Sequence, residues 1–295
     1  MTPLEASLIS KDVARSALGF YSTAFFRRLA GETTRSLAVA EVQAFLREIG
    51  VSSSATSLNQ FYSALYKSLK ASYRVEVVYK EAVLNWWLNR SGNRSSCGVL
   101  YELRVGRSKV DAVCVGRFAT AFEIKTRYDS PARLADQLGN YRTRFPKVYV
   151  VIPDDSFSRF EPHVPEGVGI VGMTRTGRLA TLRECLADSS RLIPRDMLSL
   201  LRSGEIKGML ESFGFDLRGV PNTKFLREAS ALASTIDRQD LARSVASQLR
   251  SRTYRLNVSS LRSLALGIRS LVVGAGIAES DLPLLATMLE QPLGS

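Results

Sequence analysis

Two acidic residues and a lysine lie in neighbouring apolar runs of this sequence. Asp111 lies within the first run, and Glu123 and Lys125 lie in the next. Carboxylate oxygens are hard ligands that suit a divalent cation, and a cation can activate water and neutralise charge on a phosphate. A lysine beside them can position that water or stabilise the transition state. These residue types therefore point to metal-assisted hydrolysis of a phosphodiester.

Both runs are rich in β-branched residues and predict two strands joined by a short turn at Gly116. If Val115 pairs with Ala119 across a three-residue loop, Asp111 lies directly opposite Glu123, with Cβ atoms about 4.5–5.5 Å apart. Like charges at that distance are destabilising unless a positive group lies between them. A four-residue loop would break this register.

A helix is predicted after the second strand. Ser130 is a good N-cap, and Pro131 suits the first helical position. Gln137 and Tyr141 are four residues apart and share one stripe, so they need not belong to the core. A separate stripe has the spacing of core residues: Leu134, Leu138 and Phe145.

The order of these motifs resembles the PD-(D/E)XK nuclease superfamily. The aspartate is followed by Glu-Ile-Lys at 123–125 and then by Gln-x-x-x-Tyr at 137–141, which is similar to the RecB-type branch. The proline that precedes the aspartate in the superfamily's name is Val110 here.

The resemblance is closer to a bacterial and phage group of that superfamily. Its Glu-x-x-Tyr-Lys helix start is matched from Glu76 to Lys80, and its strand glutamate is matched by Glu102. An Arg-Ser pair before the aspartate is matched loosely by Arg107 and Ser108.

The resemblance implies a nuclease that uses Mg²⁺, for which Mn²⁺ could substitute. Asp111, Glu123 and the carbonyl of Ile124 would hold the ion together with waters. Lys125 would position the attacking water or stabilise the transition state. The product would carry a 5′-phosphate.

Four further residues receive roles from the same resemblance. Glu76 would be an outer carboxylate, and Glu102 a second metal contact. Gln137 and Tyr141 would touch the scissile region or the side chains that support it.

Each motif also has a purely structural interpretation. A Glu-x-Lys strand can form the solvent face of a hairpin, and Gln137 and Tyr141 can form a polar helix face. Asp111 favours a functional interpretation, because an aspartate in the middle of a valine-rich strand is disfavoured there. The alternatives are a non-catalytic nucleic-acid-binding module or a protein-interaction module that retains a nuclease fold.

The charge of the chain favours nucleic acid as the partner. The 295 residues carry a formal net charge of +12, and the pI is about 9.9. An acidic polymer is the expected partner, with DNA as the expected polymer and a protein partner or a homodimer as further options. His163 is the single histidine, which argues against histidine-based metal or acid–base chemistry.

The predicted fold is α/β, with a restriction-endonuclease-like core of mixed sheet flanked by helices. The predicted divisions are an N-terminal helical region at 1–75, the core at 76–185 and a C-terminal helical region at 186–295. The last region includes an amphipathic segment at 259–273. Neither a signal peptide nor a bilayer-spanning segment is predicted, so a cytoplasmic location is expected.

Overall fold

The computed structural model of this chain contains a six-stranded mixed β-sheet flanked by helices. The protein therefore has an α/β fold, as predicted. The structure describes residues 2–8, 10–72, 74–90, 98–106, 108–253 and 256–294, and of Ser72 it describes the backbone alone. Arg107, part of the predicted Arg-Ser pair, lies outside the described residues.

Tertiary contacts divide the chain into two compact units. The helical unit comprises residues 1–97, 175–178 and 254–295, and the sheet unit comprises 98–174 and 179–253.

The helical unit is built around an aromatic core. The rings of Phe61 and Tyr62 on one helix lie 5.6 Å apart, and Phe20 and Phe45 pack against this pair. Such edge-to-face contacts add specific geometry to the burial of large apolar surfaces. The helices of this unit are α1 (Pro3–Leu8), α2 (Lys11–Ser16), α3 (Thr23–Ala30), α4 (Arg35–Glu48), α5 (Leu58–Ser72), α6 (Glu76–Arg90), and, after the sheet unit, α13 (Val258–Ser263), α14 (Arg269–Ala275) and α15 (Leu282–Glu290).

The sheet unit carries its strands in sequence order. The first three strands are antiparallel, the third, fourth and fifth are parallel, and the sixth is antiparallel to the fifth. The strands are β1 (Val99–Val105), β2 (Ser108–Val115), β3 (Ala119–Ile124), β4 (Lys147–Pro153), β5 (Gly169–Met173) and β6 (Leu179–Arg183). Parallel strands need a crossover connection, and a helix supplies it between β3 and β4.

One face of the sheet packs against helices of the same unit. Val113, Ala121 and Val150 lie on this face, within one buried cluster that also contains Leu134 and Leu138. The helices of the unit are α7 (Leu134–Arg142), α8 (Phe157–Phe160), α9 (Pro194–Leu198), α10 (Ser203–Ser212), α11 (Asn222–Ala233) and α12 (Arg238–Ser251).

The two units differ from the predicted division of the chain. Helix α6, expected in the nuclease core, belongs to the helical unit, where it packs against α5 and α14. Residues 186–253, expected in a separate helical region, belong to the sheet unit. Apolar periodicity identifies the buried face of a helix, but it does not say which element covers that face.

Two helix boundaries also differ from the predictions. Helix α7 begins at Leu134, because Ser130 and Pro131 form a turn in which Ser130 Oγ accepts the Ala132 N–H at 3.3 Å. The segment predicted at 259–273 is two helices, and Gly267 lies between them with φ of 95°.

In the described part of the chain, no helix combines the length and apolar character that crossing a bilayer requires.

We expect Gly267→Ala to lower the free energy of unfolding by about 2 kcal/mol or more, because φ is positive there and the space is filled. A Cβ atom at this position would lie 2.6 Å from Tyr66 Cβ and 2.9 Å from Tyr21 Oη. Urea denaturation measures the change. Gly208→Ala is the matched control, since nothing lies within 4 Å of its Cβ position in α10, and it should raise stability by about 0.5–1 kcal/mol. Equal effects of the two changes would contradict the strain at Gly267.

Candidate functional site

The predicted strand register is confirmed, and it sets Asp111 against Glu123. The β2–β3 ladder pairs Val115 with Ala119 across a three-residue loop and continues to the pair of Ala112 and Phe122. Asp111 and Glu123 occupy the next positions of the same register. Their side chains therefore leave the sheet on the same face, at the carboxyl end of β3.

The carboxylate of Asp111 replaces a backbone group at the end of this ladder. The backbone N–H of Ile124 donates to Asp111 Oδ2 at 2.6 Å, and the backbone pairing of β2 with β3 ends one position earlier. Aspartate side chains compete with the backbone for such donors. Because the N–H and C=O of one extended residue point to the same side of a strand, the Ile124 carbonyl also faces β2 here.

On its other side, β2 meets an irregularity of β1 at the same level. The register of the two strands places Glu102 opposite Asp111, but the pairing passes from Tyr101–Ala112 directly to Leu103–Val110. In the described chain, Glu102 is the one non-glycine residue with positive φ, at 55°. Strained backbone of this kind is concentrated at functional sites.

The side chain of Glu102 extends away from the two acidic residues. It is about half exposed, and its Oε2 lies 3.6 Å from the Nζ of Lys109. The structure therefore confirms Glu102 as a strand glutamate beside Asp111 in register. Its predicted role as a second metal contact stays a prediction.

Glu123 is the buried centre of the site. Its side chain is 3% exposed, and both of its oxygens accept hydrogen bonds. Lys125 Nζ donates to Oε1 at 2.7 Å, and the Tyr141 hydroxyl lies 2.8 Å from Oε2. A buried carboxylate is tolerated only when charged or polar partners compensate its desolvation.

Helix α7 contributes both of its predicted side chains to this site. Gln137 Oε1 accepts a second hydrogen bond from Lys125 Nζ at 3.0 Å. The Tyr141 hydroxyl also lies 2.9 Å from the backbone oxygen of Lys109, so its single proton has two acceptors. The helix thereby connects the N-terminal part of β2 with the carboxyl end of β3.

Tyr141 is a core residue, contrary to the prediction that its stripe need not be buried. It is fully buried in the cluster that includes Leu138 and Phe145. Burial and the nearby carboxylate of Glu123 raise the pKa of the Tyr141 hydroxyl well above its usual value, which keeps the hydroxyl protonated as a donor. Spacing alone identified its neighbours but not its burial.

Glu76 lies in the helical unit and not in the sheet unit. It begins α6, as predicted, and its carboxylate forms an ion pair with Lys80 one turn later at 2.7 Å. Its predicted role as an outer carboxylate stays a prediction.

The donors suitable for a metal are two carboxylates and one backbone carbonyl: those of Asp111, Glu123 and Ile124. Mg²⁺ in proteins is often held by one or two carboxylates while it keeps several waters, so this donor set suits it. Among the described residues, no three histidine, cysteine or acidic side chains come together in a group that could hold a metal ion.

A rigid turn beyond Lys125 was missed in the sequence. Asp129 Oδ2 accepts the Thr126 N–H and the Thr126 hydroxyl, both at 2.7 Å. The Thr-x-x-Asp spacing at 126–129 is the signal that could have predicted it, because short polar side chains commonly bond to nearby backbone in turns.

Comparison with known families identifies relatives of the chain. The sequence pattern of the family described as bacteriophage P4 protein cII matches residues 69–271, which is more than half of the 295 residues. The chain belongs to the bacteriophage P4 protein cII family. The match includes the whole sheet unit except 98–174 and 179–253 need no extension beyond it, so every site residue from Glu76 to Tyr141 lies inside the family region.

One curated relative of this cII-family chain is protein cII of Enterobacteria phage P4. The two are 27% identical over 134 residues, which is 43% of this chain and 50% of the relative. The chain thus spans about half the length of the curated relative it matches. No solved structure matches it.

We expect Tyr141→Phe to lower the free energy of unfolding by about 1–3 kcal/mol, because it removes a donor from a buried carboxylate while the ring still packs. Urea denaturation measures this change. In a Glu123→Gln background the same substitution should cost less, because a neutral amide depends less on the hydroxyl. An equal cost in both backgrounds would mean that the Tyr141 hydroxyl does not stabilise Glu123.

Proposed function

We propose that this protein is a metal-dependent nuclease of the PD-(D/E)XK type, which hydrolyses phosphodiester bonds of nucleic acid. The observation that carries the proposal is the meeting of Asp111 and Glu123 on neighbouring strands, with Lys125 Nζ 2.7 Å from Glu123 Oε1. Two acidic residues and a lysine at one strand end match the chemistry that such hydrolysis requires.

The metal in this proposal is Mg²⁺, with Mn²⁺ as a substitute. Asp111, Glu123 and the Ile124 carbonyl would hold it. When bound, the ion would lower the pKa of a water and neutralise negative charge on the phosphate.

The side chains around these donors would orient the substrate. The ammonium of Lys125, held between Glu123 and Gln137, would donate to a phosphate oxygen in the transition state. Tyr141 would keep the carboxylate of Glu123 in a fixed orientation.

In the proposed reaction, the oxygen of water forms a bond to phosphorus and the bond from phosphorus to the 3′ oxygen breaks. The water gives up a proton to solvent, and the departing 3′ oxygen takes one. The products are a 3′-hydroxyl and a 5′-phosphate.

The finer fold in this proposal is a restriction-endonuclease-like core. It is supported by the order in which β2, β3 and α7 present Asp111, Glu123-Ile124-Lys125 and Gln137-x-x-x-Tyr141. The net charge of +12 supports nucleic acid as substrate, with DNA as the expected polymer. Membership of a family named for a phage protein supports a role in phage, mobile-element or defence biology.

A second candidate function is a nucleic-acid-binding or protein-interaction module without cleavage activity. The observation that favours it is the bonding of Glu123, since both of its oxygens already accept hydrogen bonds from Lys125 and Tyr141. In such a module, Lys125 would compensate the buried carboxylate and no metal would be needed.

We expect Asp111→Asn, Glu123→Gln and Lys125→Ala each to reduce cleavage at least about a hundredfold with Mg²⁺ or Mn²⁺. Linear, circular, single-stranded and double-stranded DNA and RNA are the substrates to test. Double variants should be little worse than single ones, because the three residues act as a unit.

Asp136→Asn is the matched control for these variants. Asp136 is an exposed acidic residue in the first turn of α7, next to Gln137, and its change should leave cleavage unaltered. Full activity of Asp111→Asn would contradict the proposed site. Calorimetric titration with Mg²⁺ separates the two candidates, because a nuclease should bind the ion at low millimolar concentration and lose this binding in Asp111→Asn.

We expect Asp111→Asn to retain nucleic-acid binding, because basic side chains rather than the acidic pair supply most of the affinity. The logarithm of the association constant should fall linearly with the logarithm of salt concentration, with a slope set by the phosphates neutralised. Fluorescence anisotropy over a salt series measures it. Binding that is independent of salt, or absent at low salt, would favour a protein-interaction role.

A further inference from the structure

An exposed tyrosine lies on the rigid turn that follows Lys125. The turn runs from Thr126 to Asp129, and the Asp129 N–H donates to the Thr126 carbonyl at 3.2 Å. The Tyr128 N–H donates to Thr126 Oγ1 at 3.2 Å. Together with the bonds of the Asp129 carboxylate, these contacts fix the backbone on both sides of Tyr128.

A second segment holds the same turn from outside. The guanidinium of Arg159 donates to the backbone oxygens of Arg127 and Asp129, at 2.9 and 2.5 Å. A surface turn with this many hydrogen bonds loses little further backbone entropy when a ligand binds.

The ring of Tyr128 is available to a ligand. Tyr128 is 58% exposed, although a large apolar ring usually has more of its surface covered. An exposed ring on a fixed turn presents a flat apolar face in one orientation, which is the requirement for stacking.

Two arginines flank this ring along the chain. Arg127 is about half exposed and lies 3.2 Å from Asp155, and Arg133 is exposed at the start of α7. Three residues separate Tyr128 from Lys125, so their Cα atoms are at most ~10 Å apart. Aromatic rings among basic side chains are the pattern by which proteins hold single strands.

We propose that Tyr128 is a stacking platform for an unpaired base, and that the site therefore takes single-stranded nucleic acid or an unpaired end. In a duplex the bases stack on one another, so a protein ring reaches a base face only where the strand is unpaired. This inference rests on the proposed function, because it names the substrate class of the same site.

The test compares single-strand and duplex affinity in the Asp111→Asn protein without metal, so that no cleavage is needed. The probes are a fluorescein-labelled DNA strand of about 20 nucleotides and the hairpin duplex of the same length. Tyr128→Ala should weaken single-strand binding about 5- to 150-fold, the range expected for the loss of one stacked base. Duplex binding should change less than about twofold.

Two substitutions and one control separate stacking from other roles of Tyr128. Tyr128→Phe and Tyr128→Trp should keep single-strand affinity, because both retain an aromatic face. Leu186→Ala removes another exposed apolar side chain of the sheet unit and should have no effect. A strand with one abasic position, moved along its length, should lose affinity at one position in Asp111→Asn and at none after Tyr128→Ala is added.

The inference is overturned by an equal loss of single-strand and duplex affinity, by a loss in Tyr128→Phe as large as in Tyr128→Ala, or by the absence of single-strand binding. Selective loss of single-strand affinity without any cleavage by the wild-type protein would retain the stacking site and reject the nuclease. Cleavage that depends on Asp111, with normal single-strand binding by Tyr128→Ala, would reject the stacking site alone.

Discussion

The buried carboxylate of Glu123 is the interaction on which the geometry of this site depends. It lies at the carboxyl end of β3, and its two oxygens draw Lys125 and Tyr141 toward the same point. Because a charge in the protein interior is costly without partners, these contacts constrain α7 as well as β3. Through Tyr141 the constraint extends to the backbone of β2 at Lys109.

The polar end of the sheet could be predicted from sequence because short-range rules determine it. A three-residue loop and a period of two fix which residues of β2 and β3 share a face, so Asp111 and Glu123 could be matched in advance. The stripe of Gln137 and Tyr141 followed from helical spacing in the same way.

The remaining differences arise from interactions that are distant in sequence or from competing local bonds. Ser130 was expected to cap a helix, but its hydroxyl serves a turn and α7 begins later. The membership of α6 in the helical unit depends on its packing with α14, which lies far along the chain. The positive φ of Glu102 has no sequence signal, since glycine or asparagine is the residue expected there.

The irregularity at Glu102 also has a consequence for self-association. β1 is an edge strand of the sheet, and an edge with a continuous row of backbone donors and acceptors invites pairing with a strand of another molecule. The left-handed conformation of Glu102 interrupts that row in the middle of β1, and its exposed carboxylate adds a charge at the same point. The residue opposite Asp111 thus protects the sheet against edge-to-edge aggregation.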